Sequence, residues 1–408
     1  MESTQYLLIG GGLASSQAAK ELRRQDPAAA ITLVGDESHV PYDRPPLSKD
    51  FLRGEKSRDQ LFFDSPETLR EQRISLVLGI PVQRLDPGRR VATLGDGGTI
   101  QFQKCLLATG GRPLRLSIPG SDLPEIHYLR TLDDATAIAT RAQRGRKALI
   151  IGAGFIGLEV AASLTQLRVH TTVIEAQEHI WPRFVDRSLA ERVQKHCEHR
   201  GVVFRTGDTA VEFVRDRKGL AARLKSGAAI ACDFACVGVG IVPNVTLAQQ
   251  AGLTIQNGIL VNEFLQTSVP DIYAGGDVAN YFDPLFAKQR RVEHWGHAEY
   301  CGQLAAQNMA GARRPYDLLT YVWSDIFDLH LEFAGDESEH DEVLIRSVNE
   351  QSFFVFYLKQ HILRAYFAIN GAAKDFPLLQ RVIRAKRDLR GTEAQLKDPA
   401  VSLKSFLA

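Results

Sequence analysis

The sequence predicts an α/β protein with two Rossmann-like dinucleotide-binding domains and a C-terminal α/β domain. Two observations carry that prediction. A strand, glycine loop and helix at the N-terminus recur as a unit 142 residues later, and the texture of the chain changes from about Tyr321 onward. The 408 residues leave room for two or three domains of about 100–200 residues each.

The first unit opens with Tyr6-Leu7-Leu8-Ile9, an apolar run of the kind buried on both faces in a parallel sheet. Gly10-Gly11-Gly12-Leu13-Ala14-Ser15 follows, and Ser16 to Arg24 read as a helix with Ala18, Ala19 and Leu22 inside. Gly10 permits the tight turn, and Gly12 lets backbone approach a pyrophosphate at the helix N-terminus. Ser15 stands where a third glycine is usual, and its small size still allows close helix–strand packing. The second strand, Ile31 to Gly35, ends at Asp36-Glu37, where a carboxylate is placed for the adenosine ribose hydroxyls.

In the second unit Ala148-Leu149-Ile150-Ile151 leads into Gly152-Ala153-Gly154-Phe155-Ile156-Gly157, a full GxGxxG, and then a helix from Leu158 to Leu167. The strand Thr171 to Ile174 delivers Glu175. A lone fingerprint is weak, because ordinary turns imitate it. Two copies, each between strand and helix and each followed by an acidic strand end, are strong. After Glu175 come Ala176, Gln177, Glu178 and His179, with no arginine to receive a 2′-phosphate, so NADH is expected over NADPH. Arg183 lies nearby and tempers that expectation.

Composition narrows the function classes. Apolar residues make up 44% and charged residues 24%, ordinary globular usage that excludes a disordered or fibrous chain. A net charge of +1 gives no global field toward nucleic acid. No apolar run approaches the roughly 20 residues needed to cross a bilayer. With no basic leader before the first strand, a cytoplasmic location is expected. The five cysteines include no CxxC pair, which reads as reduced thiols. Cys232 and Cys236 fall in a segment that alternates like one strand, so they are expected on a shared face as buried structural thiols. His196/His199 and His294/His297 each sit three apart, but without further ligands no metal site is expected, and no iron–sulfur pattern is present.

Three more segments complete the picture: Pro41-Tyr42-Asp43-Arg44-Pro45-Pro46-Leu47-Ser48-Lys49, Leu106-Leu107-Ala108-Thr109-Gly110-Gly111-Arg112-Pro113, and Thr267 to Ala279 with Ala274-Gly275-Gly276-Asp277 at its turn. With the two fingerprints, these make the chain resemble FAD/NAD-linked reductases of glutathione-reductase-like architecture over essentially its whole length. More closely it resembles the NADH-dependent ferredoxin reductases of bacterial aromatic-ring dioxygenases (biphenyl, benzene and toluene types), a family related to putidaredoxin reductase and apoptosis-inducing factor.

The resemblance assigns FAD to Gly10, Gly12, Leu13, Ala14, Ser15, Asp36, Glu37, Arg44, Lys49, Ala108, Thr109, Gly110 and Asp277, with Glu293, His294 and Trp295 beside the isoalloxazine. It assigns NADH to Gly152, Gly154, Phe155, Ile156, Gly157, Glu159, Glu175, Arg183 and Gly238. Asp277 would bond the ribityl chain, and Lys49 would stand near flavin N5, paired with Glu159. A cation there favours arriving electron density, and its carboxylate offsets the cost of burying it. Trp295 is read either as packing on the flavin or as a plain core tryptophan.

Three domains are expected: an FAD domain over 1–110 and 236–319, an NADH domain over 111–235, and a C-terminal domain over 320–408. In the last, Glu339–Ser347, Phe353–Leu358 and Arg364–Ile369 read as a small antiparallel sheet, and Asp375 to Arg387 as a helix with an apolar stripe. Residues 359–408 carry ten Lys or Arg against four Asp or Glu. A basic face of Arg381, Arg384 and Arg387, with Trp323, is therefore either a dock for an acidic [2Fe–2S] Rieske-type ferredoxin or a solvated helix face. Nucleic acid is a poor alternative, since aromatic residues are not interleaved with the basic ones. The expected activity is hydride transfer from NADH to FAD and single-electron transfer to ferredoxin. The competing readings are an NADH oxidase and a redox-switched flavoprotein with a binding role, and a homodimer is left open.

Overall fold

The computed structural model describes residues 2–216 and 219–407. Its packing divides into two compact units: residues 1–43, 58–112 and 242–320 in one, and residues 44–57, 113–241 and 321–408 in the other. Residues 1, 217, 218 and 408, which fall in the expected domain ranges, lie outside the described residues.

The first unit is built on a parallel sheet. Strand Glu2–Ile9 pairs with Ile31–Gly35 on one side and Thr99–Leu107 on the other, and Ile74–Leu78 extends the sheet beyond Ile31–Gly35. Thr99–Leu107 divides its free edge: residues 99–101 take an antiparallel ribbon through Val91–Leu94, while Cys105–Leu107 pair in parallel with Ile272–Ala274. Leu7, Leu8, Leu33, Leu106 and Leu107 are wholly buried, as expected of parallel strands covered on both faces. Helix Leu13–Gln25 packs against helix Trp295–Met309, and Gly302 permits the approach: a Cβ there would lie 2.2 Å from the Ala14 carbonyl oxygen.

The second unit holds another parallel sheet, ordered Val203–Thr206, His170–Glu175, Lys147–Ile151, Phe234–Val237, Ile126–Tyr128. A three-stranded antiparallel sheet follows Val203–Thr206 in sequence. The same unit contains a five-stranded antiparallel sheet, ordered Tyr321–Ile326, Leu329–Gly335, Ile362–Ile369, Ser352–Lys359, Glu342–Asn349. Three of these strands and helix Asp375–Ala385 lie where the sequence puts them, while Tyr321–Ile326 and Leu329–Gly335 are additional.

One apolar core runs through this unit, joining Ala148, Ile150, Leu158 and Val173 to Ile326, Phe353, Phe367 and Ile369. That shared core is why the expected NADH and C-terminal regions pack as one unit. Cys232 and Cys236 depart from expectation: the first ends strand Ala229–Cys232 and the second lies in Phe234–Val237, strands of different sheets. Asp233 turns the chain between them, its carboxylate accepting from the Lys147 amide at 2.7 Å. Both thiols are buried, and burial pushes each up to about 12.

Candidate functional site

In the first unit three chain segments meet at the carboxyl ends of the parallel strands. Gly10 takes φ +124°, and a Cβ there would stand 2.1 Å from the Ala108 carbonyl oxygen, so only glycine fits. The Ala108 amide in turn bonds the Ile9 carbonyl at 2.8 Å, and the Gly275 amide bonds Leu107 at 3.1 Å. Gly276, at φ +73°, brings the Asp277 turn against Ala14, whose Cβ would be 3.4 Å from an added Cβ. Gly10–Ser15, Ala108–Gly110 and Gly275–Asp277 are thus brought together around the N-terminus of helix Leu13–Gln25.

Three residues that the sequence did not single out hold this cradle in shape. Asn244 accepts the Thr109 hydroxyl on its carbonyl at 2.8 Å and donates its side-chain amide to the Thr109 carbonyl at 2.9 Å. Arg291 donates to the Asp277 carbonyl at 3.2 Å and forms an ion pair with Glu293. Asp43 accepts the Trp295 indole N–H at 2.8 Å. His294 caps helix Trp295–Met309, its ring accepting from the Gly296 amide at 3.2 Å. Behind the turn, His297 is fully buried with Nδ1 3.1 Å from the Tyr316 hydroxyl, and burial pushes it down to about 4. At the acidic strand end Asp36 is exposed, whereas Glu37 accepts from the buried Tyr42 hydroxyl at 2.5 Å.

The second fingerprint uses its glycines differently. Gly152, at φ +100°, approaches the Gly238 carbonyl, 2.5 Å from an added Cβ, and Gly157 approaches the Gly152 carbonyl, 2.1 Å from one. The loop therefore closes on itself and on Gly238. Glu175 accepts from the Ala153 amide at 2.8 Å and from the Gln177 amide at 2.9 Å, tying the strand end to the loop. Ile156 is 48% exposed, while Phe155 packs against Trp181 and Phe184 with ring centroids 5.4 and 5.6 Å away. Arg183 forms an ion pair with the buried Glu337.

Both cradles fit a dinucleotide on their own geometry. A Cβ at Gly12 would meet nothing within 4 Å, and one at Gly154 first meets the Gly238 oxygen at 3.9 Å, so each glycine faces open space. Each glycine is also the N-cap of its helix without a side-chain cap, which leaves first-turn amides for a phosphate. In the first cradle the buried hydroxyls of Ser15 and Ser16 have no hydrogen-bond partner.

Helix Phe155–Gln166 carries a buried ion pair. Glu159, 3% exposed, accepts from Lys49 Nζ at 2.9 Å, from the Ser48 hydroxyl at 2.5 Å and from the Ser324 hydroxyl at 2.6 Å. The Ser163 hydroxyl donates to the Ser48 carbonyl at 2.7 Å, fixing the Pro45–Ser48 turn that aims the lysine. Ser48 belongs to a segment noted in the sequence, but nothing local marks it or Ser324 as a partner of Glu159. Arg44 donates to the Arg130 carbonyl at 2.5 Å. Arg44 and Lys49 lie in the second packing unit, and the other expected FAD residues in the first.

Trp323 is half-buried on Tyr321–Ile326, and Arg381, Arg384 and Arg387 are exposed at helix Asp375–Ala385 and just past it. His196 lies 2.8 Å from an Asp328 oxygen, while His199 is exposed. Among the described residues no helix is long and apolar enough to cross a membrane.

The family model described as pyridine nucleotide-disulphide oxidoreductase matches residues 4–302, and a second, described as reductase C-terminal, matches residues 321–407. The chain is 34% identical to the anthranilate 1,2-dioxygenase system ferredoxin–NAD(+) reductase component of Burkholderia cepacia, with all of both chains covered. It superimposes with a TM-score of 0.93 on the ferredoxin reductase for the CYP199A2 system from Rhodopseudomonas palustris, at 32% identity and full coverage of both chains. The same TM-score, 0.93, holds for a covalent putidaredoxin reductase–putidaredoxin complex at 29% identity, over 100% of this chain and 99% of that one.

Proposed function

Since the chain belongs to the pyridine nucleotide-disulphide oxidoreductase family, we propose that it is an FAD-dependent NADH:ferredoxin reductase supplying an aromatic-ring dioxygenase. Bound FAD supplies the redox chemistry, accepting a hydride from NADH and yielding electrons one at a time to a ferredoxin. The chain's own residues bind and orient. Gly10, Gly12 and Ser15 with Ala108 to Gly110 receive the FAD pyrophosphate, and Asp277 receives the ribityl hydroxyls from a turn that Arg291 and His297 hold. Gly152, Gly154 and Gly157 receive NADH, with Glu175 toward its ribose. Lys49 serves the flavin N5 edge as the resemblance implies, and Glu159 holds its ammonium in place.

The observation that carries this reading is the pair of cradles, each with a glycine facing open space, on a chain whose five thiols are all buried and free. Burial is the largest cause raising all five, alone at Cys105 and with smaller contributions from neighbouring groups at the other four, so none is poised as a thiolate to relay electrons. Electrons then leave to an external acceptor. For that acceptor we favour a Rieske-type [2Fe–2S] ferredoxin, with Arg381, Arg384, Arg387 and Trp323 as docking candidates and a homodimer as a further arrangement to be tested.

The test is NADH-driven cytochrome c reduction with and without a purified Rieske-type ferredoxin, with oxygen uptake followed in parallel. Large stimulation by ferredoxin, suppressed by high salt, supports the proposal. Rapid NADH loss to oxygen that ferredoxin leaves unchanged contradicts it and favours an oxidase.

A further inference from the structure

We propose that Glu342, His361 and Glu393 form a binding site for a divalent transition-metal ion, outside the dinucleotide cradles. One ligand atom from each side chain lies within 4.8 Å of the other two. The three come from separate elements: Glu342 opens strand Glu342–Asn349, His361 sits in the turn between Ser352–Lys359 and Ile362–Ile369, and Glu393 opens helix Glu393–Lys397.

The imidazole is placed at a cost. Gln360 and His361 have φ +50° and +62°, the left-handed pair of a two-residue hairpin loop in which Asn-Gly is the favoured sequence. The carboxylate of Asp341, next to Glu342, pins the turn by accepting the Gln360 amide at 3.0 Å. The His361 carbonyl accepts the Leu389 amide at 2.9 Å, which draws the chain leading to Glu393 toward the same point.

The imidazole is incompletely satisfied, while the Glu393 carboxylate is held in place by the backbone amides of Gly391 and Glu393. His361 Nδ1 is 3.2 Å from a Glu393 oxygen and 3.9 Å from a Glu342 oxygen, yet it is buried and makes no hydrogen bond. Among the described residues His361 is the sole ion-pair partner of both glutamates, so one imidazole serves two carboxylates. A divalent ion would bridge all three.

The ligand set selects the class of ion. An imidazole nitrogen with two carboxylates suits Zn²⁺ and its neighbours, whereas Ca²⁺ and Mg²⁺ favour all-oxygen shells. Zinc–ligand distances of about 2.0–2.2 Å put tetrahedral ligands about 3.4 Å apart, so the widest pair closes by no more than about 1.4 Å, within reach of glutamate torsions. Three ligands leave a fourth position for water. The ion would staple hairpin, strand and C-terminal helix.

The test uses the FAD-loaded full chain in a non-chelating buffer near neutral pH, titrated with zinc sulfate by calorimetry and followed by thermal unfolding. The proposal predicts one zinc per chain, a rise in unfolding temperature that EDTA reverses, and a loss of affinity of roughly tenfold or more in His361→Gln and Glu342→Gln. His199→Gln, at an exposed histidine elsewhere, should bind zinc as the parent does. Unchanged binding in His361→Gln, or no binding by the parent, overturns it. Should a variant fold poorly, X-ray absorption of the zinc-loaded parent decides: one imidazole and two carboxylates are expected, and a sulfur or all-water shell contradicts the site.

Discussion

The two glycine cradles begin from nearly the same sequence and close in different ways. In the first, the loop is covered by the turn at Gly276 and Asp277, and its helix is overlaid by Trp295–Met309, with Gly302 against Ala14. In the second, Gly157 folds the loop onto its own Gly152 carbonyl, and Gly238 and Glu175 close it from outside. Ala14 is buried and Gly12 partly so, whereas their counterparts Ile156 and Gly154 are exposed; Ser15 and Gly157 are buried in both. A cradle enclosed by three segments suits a cofactor that stays, and one open on its outer side suits a substrate that must exchange. The helices behind them diverge in the same sense. Gln17 accepts from Gln303 at 3.3 Å and so binds the covering helix, while its counterpart 142 residues on, Glu159, holds Lys49.

The largest expected effect is at that divergence. Glu159→Ala leaves the Lys49 ammonium buried without its carboxylate, and removing one member of such a pair costs about 3–5 kcal/mol. Urea unfolding should show that loss, with Glu159→Gln intermediate. Gln17→Ala, at the matching place in the first cradle, should cost under about 1 kcal/mol. Equal losses at both positions would erase the distinction.

The next effect separates the units by pH. His297 stays neutral in the folded chain down to about 4, whereas an unfolded histidine gains its proton near 6.5. Its folded value is the lower one, so the unfolded state takes up the proton first. Stability is full above about pH 6.5 and falls between about 6.5 and 4, by about 3 kcal/mol in all. His297→Gln should flatten that part of the pH dependence of the unfolding free energy, and an unchanged slope would remove His297 as its source.

The smallest effect is at Ser15, the residue that replaces the third glycine. Its hydroxyl is buried and unpartnered in the protein alone. Ser15→Ala should leave the FAD-free chain as stable or more so, yet weaken FAD binding by roughly fivefold, about 1 kcal/mol, if the hydroxyl meets the cofactor. Flavin fluorescence during dilution reads the second change and thermal unfolding the first.

The sequence made the local features legible and the convergent ones opaque. Strand, glycine turn and helix follow one another within some fifteen residues in each fingerprint, so period and turn chemistry reveal them. Asn244 reaches Thr109 from 135 residues away and Ser324 reaches Glu159 from 165, and no spacing rule connects such positions. The Cys232–Cys236 segment was misread for a physical reason. Its alternation is real, but Asp233 gives its side chain to the Lys147 amide and splits the run between two sheets. The Glu342–His361–Glu393 cluster is likewise assembled only by the packing of helix Glu393–Lys397 on the antiparallel sheet, which is why histidine spacing pointed elsewhere.

The central claim is that the first cradle retains FAD and the second exchanges NADH, and paired valine substitutions test it most directly. A Cβ at residue 12 or 154 comes no closer than 3.9 Å to a protein atom, and both glycines have negative φ, −98° and −69°, so each variant should fold. Gly12→Val should purify without flavin. Gly154→Val should keep one FAD per chain, yet its flavin should no longer bleach when NADH is added at concentrations that reduce the parent. If instead Gly154→Val loses the flavin and Gly12→Val keeps it, the assignment of the two cradles is reversed and the account fails.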